Sequence, residues 1–287
     1  MCGAGGQAGF ARLERCLKMH PEITSLGPLH LKFYGLALTT SFLVGTYLSM
    51  RRARRVGVSE DLIVWLSLVV LGLAVVGSRT LYVITHLEEF GDVPLDFFKL
   101  WEGGLSMYGG VLAAVVGGLA FLRTQTQRVW LVCDVVAPSV ALGEAVTRLG
   151  CFMNGCCFGT PTALPWAVRF PEDSFSALVF PGGALHPSQL YSFAAGLVVF
   201  FVLLGPGRRI KYEGGLFWLC ILLLSCARFL IDFTRYYGGN DYLGRLDGLS
   251  FNNNQLIAVF LAVVSATAMG VLRARSKTSA AGRRSAD

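Results

Sequence analysis

Seven apolar stretches, each near the length needed to cross a lipid bilayer, constrain this chain more than anything else in it. A spanning helix requires roughly 20 consecutive, mostly apolar residues, and such stretches occur at about 33–50, 62–85, 104–122, 129–148, 189–205, 214–231 and 255–272. They predict an all-α integral membrane protein with seven transmembrane helices. Composition agrees, since 54% of the residues are hydrophobic and only 15% are charged, against about 25% charged in soluble proteins. That balance excludes a water-soluble fold, and with 12% aromatic residues it excludes disorder.

The basic residues orient the helices. Clusters follow the first stretch (Arg51, Arg52, Arg54, Arg55), the third (Arg123, Arg128), the fifth (Arg208, Arg209, Lys211) and the seventh (Arg273, Arg275, Lys277, Arg283, Arg284). These are 14 of the 25 Lys and Arg, and with seven spans they fall on one side. The positive-inside rule makes that side cytoplasmic, with the N-terminus outside and the C-terminus inside. The formal charge of +7 is then explained without nucleic acid. Residues 1–20 read as an N-terminal tail, disordered or preceding a true start at Met19. Residues 1–18 lack the apolar run of a secretory signal peptide. Residues 21–272 form the seven-span domain and 273–287 a basic tail on the inner leaflet. Residues 86–101 read as an interfacial segment with aromatic anchors, and 149–188 as a small outer domain rich in Gly, Pro and Cys. No internal repeat stands out.

Charged side chains inside a membrane cost at least about 2.5 kcal/mol on insertion scales, so each needs a partner or a function. Arg79, Arg148 and Arg228 lie near the outer ends of the second, fourth and sixth stretches. On the seven-span topology they reach one depth, beside the outer headgroups, where guanidinium groups can bind phosphate oxygens in pairs. The structural alternative is local neutralisation. Glu144 is four residues before Arg148 and Asp232 four after Arg228, the spacing that places partners on one helix face.

Other candidates follow from chemistry. Gly103 and Gly104, with Ser106 and Tyr108, open the third stretch, where glycine backbone and a helix N-terminus favour an anion; close helix packing explains them equally well. Tyr34 and Tyr108 can offer hydroxyls to a headgroup. His186 precedes the fifth stretch as a general base or a helix-capping residue. Cys151, Cys156 and Cys157 read as a structural disulfide of Cys151 with Cys156 or Cys157, or as reduced packing residues. A zinc site would need a fourth ligand, for which only His186 qualifies, so no metal and no cofactor is expected.

Taken in order, the motifs resemble one family. They are Gly27-Pro28 with Phe33-Tyr34-Gly35; Gly77-x-Arg79-x-x-Tyr82; Trp101-Glu102-Gly103-Gly104-Leu105-Ser106 with Gly109-Gly110; Arg148-Leu149-Gly150-x-Phe152-x-Asn154-Gly155 with Gly159; His186-Pro187-Ser188-Gln189; Gly214-Gly215-Leu216-Phe217; Arg228-Phe229-x-x-Asp232-Phe233-x-Arg235; and Leu249-Ser250 with Gln255. From Pro21 to Leu272 the chain is similar to the prolipoprotein diacylglyceryl transferases of bacterial cytoplasmic (inner) membranes.

The resemblance implies a multi-pass enzyme that moves the diacylglyceryl group of phosphatidylglycerol to the lipobox cysteine of a prolipoprotein, releasing glycerol phosphate. Its partners would be phosphatidylglycerol, the prolipoprotein signal peptide and membrane lipids, with no nucleic acid. It assigns Arg148 and Arg228 as essential arginines, Tyr34 as a headgroup contact and Gly159 as a backbone position. Arg79, Gly103, Gly104, Ser106, Asn154 and His186 would complete substrate binding. The chain departs from the family where Tyr108 replaces His, Cys151 replaces Asn, Cys156 replaces Glu and Asp232 replaces Glu. The proton acceptor then falls to Asp232, His186 or Tyr108. Two alternatives remain at this level: a non-catalytic lipid-binding homologue, and a thiol-redox membrane protein built on the three cysteines.

Overall fold

The computed structural model of the chain describes residues 22–26, 29–87, 104–172, 174–238, 242–246 and 249–284. The expected N-terminal tail, the Gly27-Pro28 pair, Gly103 and most of the 86–101 segment lie outside these residues. In chain order the elements are β1 (Glu22–Leu26), β2 (Leu29–Lys32), α1 (Phe33–Val56), α2 (Glu60–Thr85), α3 (Met107–Gln125) and α4 (Val129–Met153). A short α5 (Phe175–Val179) precedes α6 (Ser188–Leu204), α7 (Gly215–Ile231), β3 (Tyr242–Leu246), β4 (Leu249–Asn252) and α8 (Asn253–Arg284). The chain divides into two compact units, residues 1–45 with 136–287 and residues 46–135.

Among the described residues five helices are long and apolar enough to cross a membrane: α1, α2, α3, α4 and, over Asn253–Thr278, α8. Helices α6 and α7 are equally apolar in character but only 17 residues each. Large apolar side chains stand exposed along the longer helices, such as Trp65 at 61%, Leu112 at 65% and Phe260 at 65%. A surface of this kind is stable against hydrocarbon and not against water. The protein is therefore a multi-pass, predominantly helical membrane protein.

Helix ends follow local chemistry. α1 runs beyond the apolar stretch through Arg51–Arg55, because Arg and Ala are good helix formers and cations suit a helix C-terminus. It stops at Gly57, whose φ of 73° allows the Val58 amide to donate back to the Ala53 carbonyl at 3.0 Å. α8 likewise continues to Arg284, so most of the expected basic tail is helical. At its start the Gln255 amide donates to Asn252 Oδ1 at 2.8 Å and the Asn252 amide to Gln255 Oε1 at 3.0 Å, a reciprocal cap that satisfies two orphan donors.

The sequence reading lacks the strands. β1–β2 and β3–β4 are antiparallel hairpins with matching registers, Leu26 opposite Leu29 and Leu246 opposite Leu249, each with an irregularity near its outer end. Each leads directly into a long apolar helix. The two ends of the domain thus carry a repeated hairpin–helix module, hidden in a hydropathy profile because the strands are short.

Small residues set the helix packing. In the unit spanning 46–135, α2 and α3 meet along Gly77, Ser78, Gly109, Gly110 and Ala113; a Cβ added at Gly77 would lie 2.6 Å from the Gly109 carbonyl oxygen. In the other unit, Ala137, Ala141 and Ala145, spaced four apart on α4, face Gly196, Val199 and Leu203 of α6 and Cys220 of α7. Between α4 and α6 the chain builds a small apolar core of its own from Phe152, Phe158, Phe170 and Leu185.

Adding a methyl group at Gly109 should force α2 and α3 apart, whereas Gly72 has nothing within 4 Å of an added Cβ. Gly109→Ala is expected to lose about 1–3 kcal/mol, seen as a lower thermal midpoint in detergent. Gly72→Ala should be neutral or slightly stabilising on the same measurement.

Candidate functional site

Arg148 sits in the last turns of α4, where its Nε and Nη2 both donate to Glu144 Oε1 at 2.8 and 2.6 Å. The Arg148 side chain is 15% exposed and that of Glu144 is 38% exposed. The pair is thus the local neutralisation that the i,i+4 spacing allows, and it engages one edge of the guanidinium.

Arg228, in the last turn of α7, belongs to a closed ring of three side chains. Its Nε contacts Asp232 Oδ2 at 3.1 Å and Oδ1 at 3.0 Å, its Nη2 donates to the Tyr237 hydroxyl at 2.8 Å, and that hydroxyl donates to Asp232 Oδ1 at 2.8 Å. Asp232 is fully buried. A carboxylate that accepts this many donors away from water serves as an anchor for Arg228, since removing either partner of a buried pair costs about 3–5 kcal/mol. Burial pushes the Tyr237 hydroxyl above its ordinary range, so it stays protonated and keeps donating.

The three cysteines converge. Cys151 in the last turn of α4 and Cys156 and Cys157 just beyond it bring their sulfurs within 4.8 Å of one another. They are free thiols, the reduced alternative of the two that the sequence leaves open, and the Cys156 thiol donates to the Cys151 carbonyl at 3.7 Å. Cys157 has a φ of 61° and alone among the described non-glycine residues takes a positive φ, a conformation costing of order 1–3 kcal/mol. Hydrogen bonds from Cys151 and Cys156, followed by the charges of Arg235 and Arg148, hold its thiol well below the usual range. Asn154 is a close neighbour of the Cys156 thiol. Tyr34, at the start of α1, is an electrostatic neighbour of Arg148 and all three cysteines, brought close because Gly150 admits the Tyr34 backbone against α4.

Gly159 is the joint that ties this segment to the next two. Its amide donates to the His186 carbonyl at 3.0 Å, it forms an isolated antiparallel bridge with Arg235, and the Thr160 amide donates to the Thr234 carbonyl at 2.9 Å. An added Cβ would come within 2.5 Å of both Ser188 Oγ and the Thr234 carbonyl oxygen, so only glycine fits. His186 Nδ1 lies 3.3 Å from the Tyr191 hydroxyl, which also accepts from Trp166 Nε1 at 2.7 Å. Its burial lowers the imidazole below its ordinary pKa. Gln189, next along, donates from Nε2 to the Cys156 carbonyl at 2.8 Å.

Arg79 belongs to the other unit. It is 3% exposed, donates from Nη1 to the Gly104 carbonyl at 3.0 Å and lies over the Tyr82 ring at 5.9 Å. Gly104 has a φ of 72°, and an added Cβ there would meet Tyr82 and Arg79. The Ser106 amide donates to the Ser78 carbonyl at 3.0 Å as α3 begins, and Tyr108 is half exposed in its first turn. Arg79 therefore lies in one unit and Arg148 and Arg228 in the other.

Arg148, Arg228, Asp232, Tyr34, Asn154 and Gly159, all named from the sequence, lie in the unit that also holds His186. The sequence reading did not single out Tyr237, nor the bonds that Gln189 and Arg235 make. The Arg235-x-Tyr237 pair, following an intramembrane Arg by a few residues, was the available signal.

Arginines paired with carboxylates near the ends of apolar helices fit a multi-pass membrane protein, in which an intramembrane charge needs a partner. Comparison with known proteins narrows the class. The family model described as prolipoprotein diacylglyceryl transferase matches residues 21–271. The chain is 33% identical to a phosphatidylglycerol–prolipoprotein diacylglyceryl transferase of Synechococcus elongatus over 75% of this chain and 76% of the relative. It is 32% identical to that of Geobacter sulfurreducens over 90% and 96%, and 33% identical to that of Mannheimia succiniciproducens over 79% and 86%. The chain belongs to the prolipoprotein diacylglyceryl transferase family.

Two outcomes follow from the geometry. Gly159→Ala should separate the three segments that meet there and abolish recovery of folded protein in size-exclusion chromatography, while Gly35→Ala, with open space at its Cβ, should not. Because the folded state lowers the pKa of His186, the unfolded chain binds the proton more readily. The associated stability is present above about pH 6.5 and lost on acidification. Wild-type thermal midpoints should therefore fall more between neutral pH and pH 5 than those of His186→Asn.

Proposed function

We propose that this chain transfers the diacylglyceryl group of phosphatidylglycerol to the lipobox cysteine thiol of prolipoproteins, the first step of lipoprotein maturation. The observation that carries the reading is the pair of carboxylate-anchored arginines, Arg148 and Arg228, in a chain of this family. In the reaction the thiol sulfur attacks a glycerol carbon of the lipid. The carbon–oxygen bond to phosphate breaks, its electrons pass to the phosphate oxygen, and glycerol phosphate leaves as the thiol proton goes to a base. Guanidinium groups already fixed in place stabilise the charge that develops on the departing phosphate without reorganising.

In this reading Glu144 and Asp232 orient the arginines. Tyr34, Asn154, Gly159 and His186 belong to the same unit as the two arginines, and Arg79, Gly103, Gly104 and Ser106 are the further candidates for substrate binding. Tyr108 stands where the family commonly has His. His186, which burial keeps neutral, is the better proton acceptor at neutral pH.

The same proposal includes a seven-span topology in the bacterial cytoplasmic membrane. α6 and α7 have the minimum length for spanning, about 17 residues, and with them every basic cluster falls on one side. The N-terminus and the segment 149–188 are then outside, the tail after 272 is inside, and the site opens to the outer leaflet. Reporter fusions after residues 57 and 127 should read as cytoplasmic and one after residue 172 as external.

The decisive experiment gives purified protein phosphatidylglycerol and a synthetic lipobox peptide and follows the thioether-linked lipid and released glycerol phosphate. Wild type should form both. Arg148→Ala and Arg228→Ala should lose at least about 100-fold, and His186→Asn more than Tyr108→Phe. A folded wild type that binds the lipid but transfers nothing would convert the reading to a lipid-binding homologue.

A further inference from the structure

The three-cysteine cluster is not needed for phosphate binding or for the transfer step described above. The spacing Cys151-x4-Cys156-Cys157 argues by itself against a metal, because it supplies three ligands and the sequence offers only His186 as a fourth. The fold reverses that argument by closing the three sulfurs on one another. A tetrahedral zinc ion with Zn–S bonds of about 2.3 Å holds its sulfurs about 3.8 Å apart. Here all three lie within 4.8 Å, so side-chain rotation of a few tenths of an ångström to an ångström completes the geometry.

Three further features suit an ion. Cys157 is held at a φ of 61°, which turns it back toward Cys151 and Cys156 where an ordinary extended or helical residue would lead away. Arg148 and Arg235 both lie within electrostatic range of Cys157, and three thiolates around a divalent ion carry a single net negative charge that such cations balance. Gln189, at 1% exposure, bonds the Cys156 carbonyl through Nε2 and leaves its buried Oε1 with no donor among the described residues. A buried acceptor of this kind is one that a bound water satisfies.

We propose that Cys151, Cys156 and Cys157 form a binding site for a thiophilic d10 ion, zinc in the first instance, with three thiolate ligands and a fourth position open to water or another exogenous ligand. Soft thiolates select such ions over hard ones. Binding releases the thiol protons and ties the last turn of α4, three residues beyond Arg148, to the segment that Gln189 and Gly159 anchor. The site stands independently of the transfer reaction, because its readout is metal content.

The test purifies the full chain in detergent under reducing, chelator-free conditions with zinc present, and measures bound metal by mass spectrometry. Cobalt substitution then reports thiolate ligation through its near-ultraviolet charge-transfer absorption. One zinc per chain, with thiolate–cobalt bands, is expected for wild type and for Cys226→Ser, a cysteine outside the cluster. Cys157→Ser and Cys156→Ser should lose at least tenfold in zinc affinity while remaining monodisperse, and Cys156→His, which keeps a zinc ligand, should restore binding. Wild-type protein whose three thiols titrate freely and that carries no more zinc than Cys157→Ser would overturn the proposal. So would intact-mass evidence of a disulfide within the cluster, or Cys156→His binding no better than Cys156→Ser.

Discussion

An arginine in an apolar helix has to bring its counter-charge with it, and in this protein the counter-charge comes from one turn away on the same stretch of chain. Glu144 holds Arg148 and Asp232 holds Arg228. The arrangement answers the insertion cost of an unpaired guanidinium before any substrate arrives. It leaves each arginine charged and aimed, with its rotamer freedom already spent. For Arg228 the restraint is strongest, because the carboxylate is wholly buried and Tyr237 bonds both members of the pair. A phosphate approaching such groups meets donors that need little reordering, which is the condition under which fixed charge stabilises a transition state.

The helices that carry these groups are placed by what they lack. Where α2 meets α3, and where α4 meets α6, glycine and alanine let backbones approach within contact distance. Inside a bilayer there is no water to expel between helices, and close packing of small residues is what holds them. Gly159 extends the same principle beyond the helices, letting three loop segments meet where a single methyl group would not fit.

Much of this was legible in the sequence, because hydropathy over twenty residues and charge at spacing four are local properties. The helices expected at about 62–85, 129–148 and 214–231, and both ion pairs, are readable without a fold, the helix ends to within about five residues. The cysteine cluster was not, since spacing along the chain cannot show that Cys157 turns back through a positive φ. Nor were the hairpins. Asp247-Gly248 between Leu246 and Leu249 is a turn signal, but strands of four or five residues vanish beside a helix six times longer. Tyr237 escaped notice because its one sequence signal, Arg235-x-Tyr237 after Arg228, reads equally as an interfacial pair until Asp232 is seen to be buried.

The unequal helix lengths bear on the lipid as well as on the protein. α2 has 26 residues and α7 has 17, so at about 1.5 Å per residue they differ by roughly 13 Å in reach. Under the proposed seven-span topology a bilayer of one thickness cannot match both: the longer helix would tilt, or the leaflets would thin beside the shorter ones, at fractions of a kcal/mol per ångström of mismatch. The lipid beside α7 would then bear on the helix that carries Arg228, and a bilayer of thicker lipids would work against it.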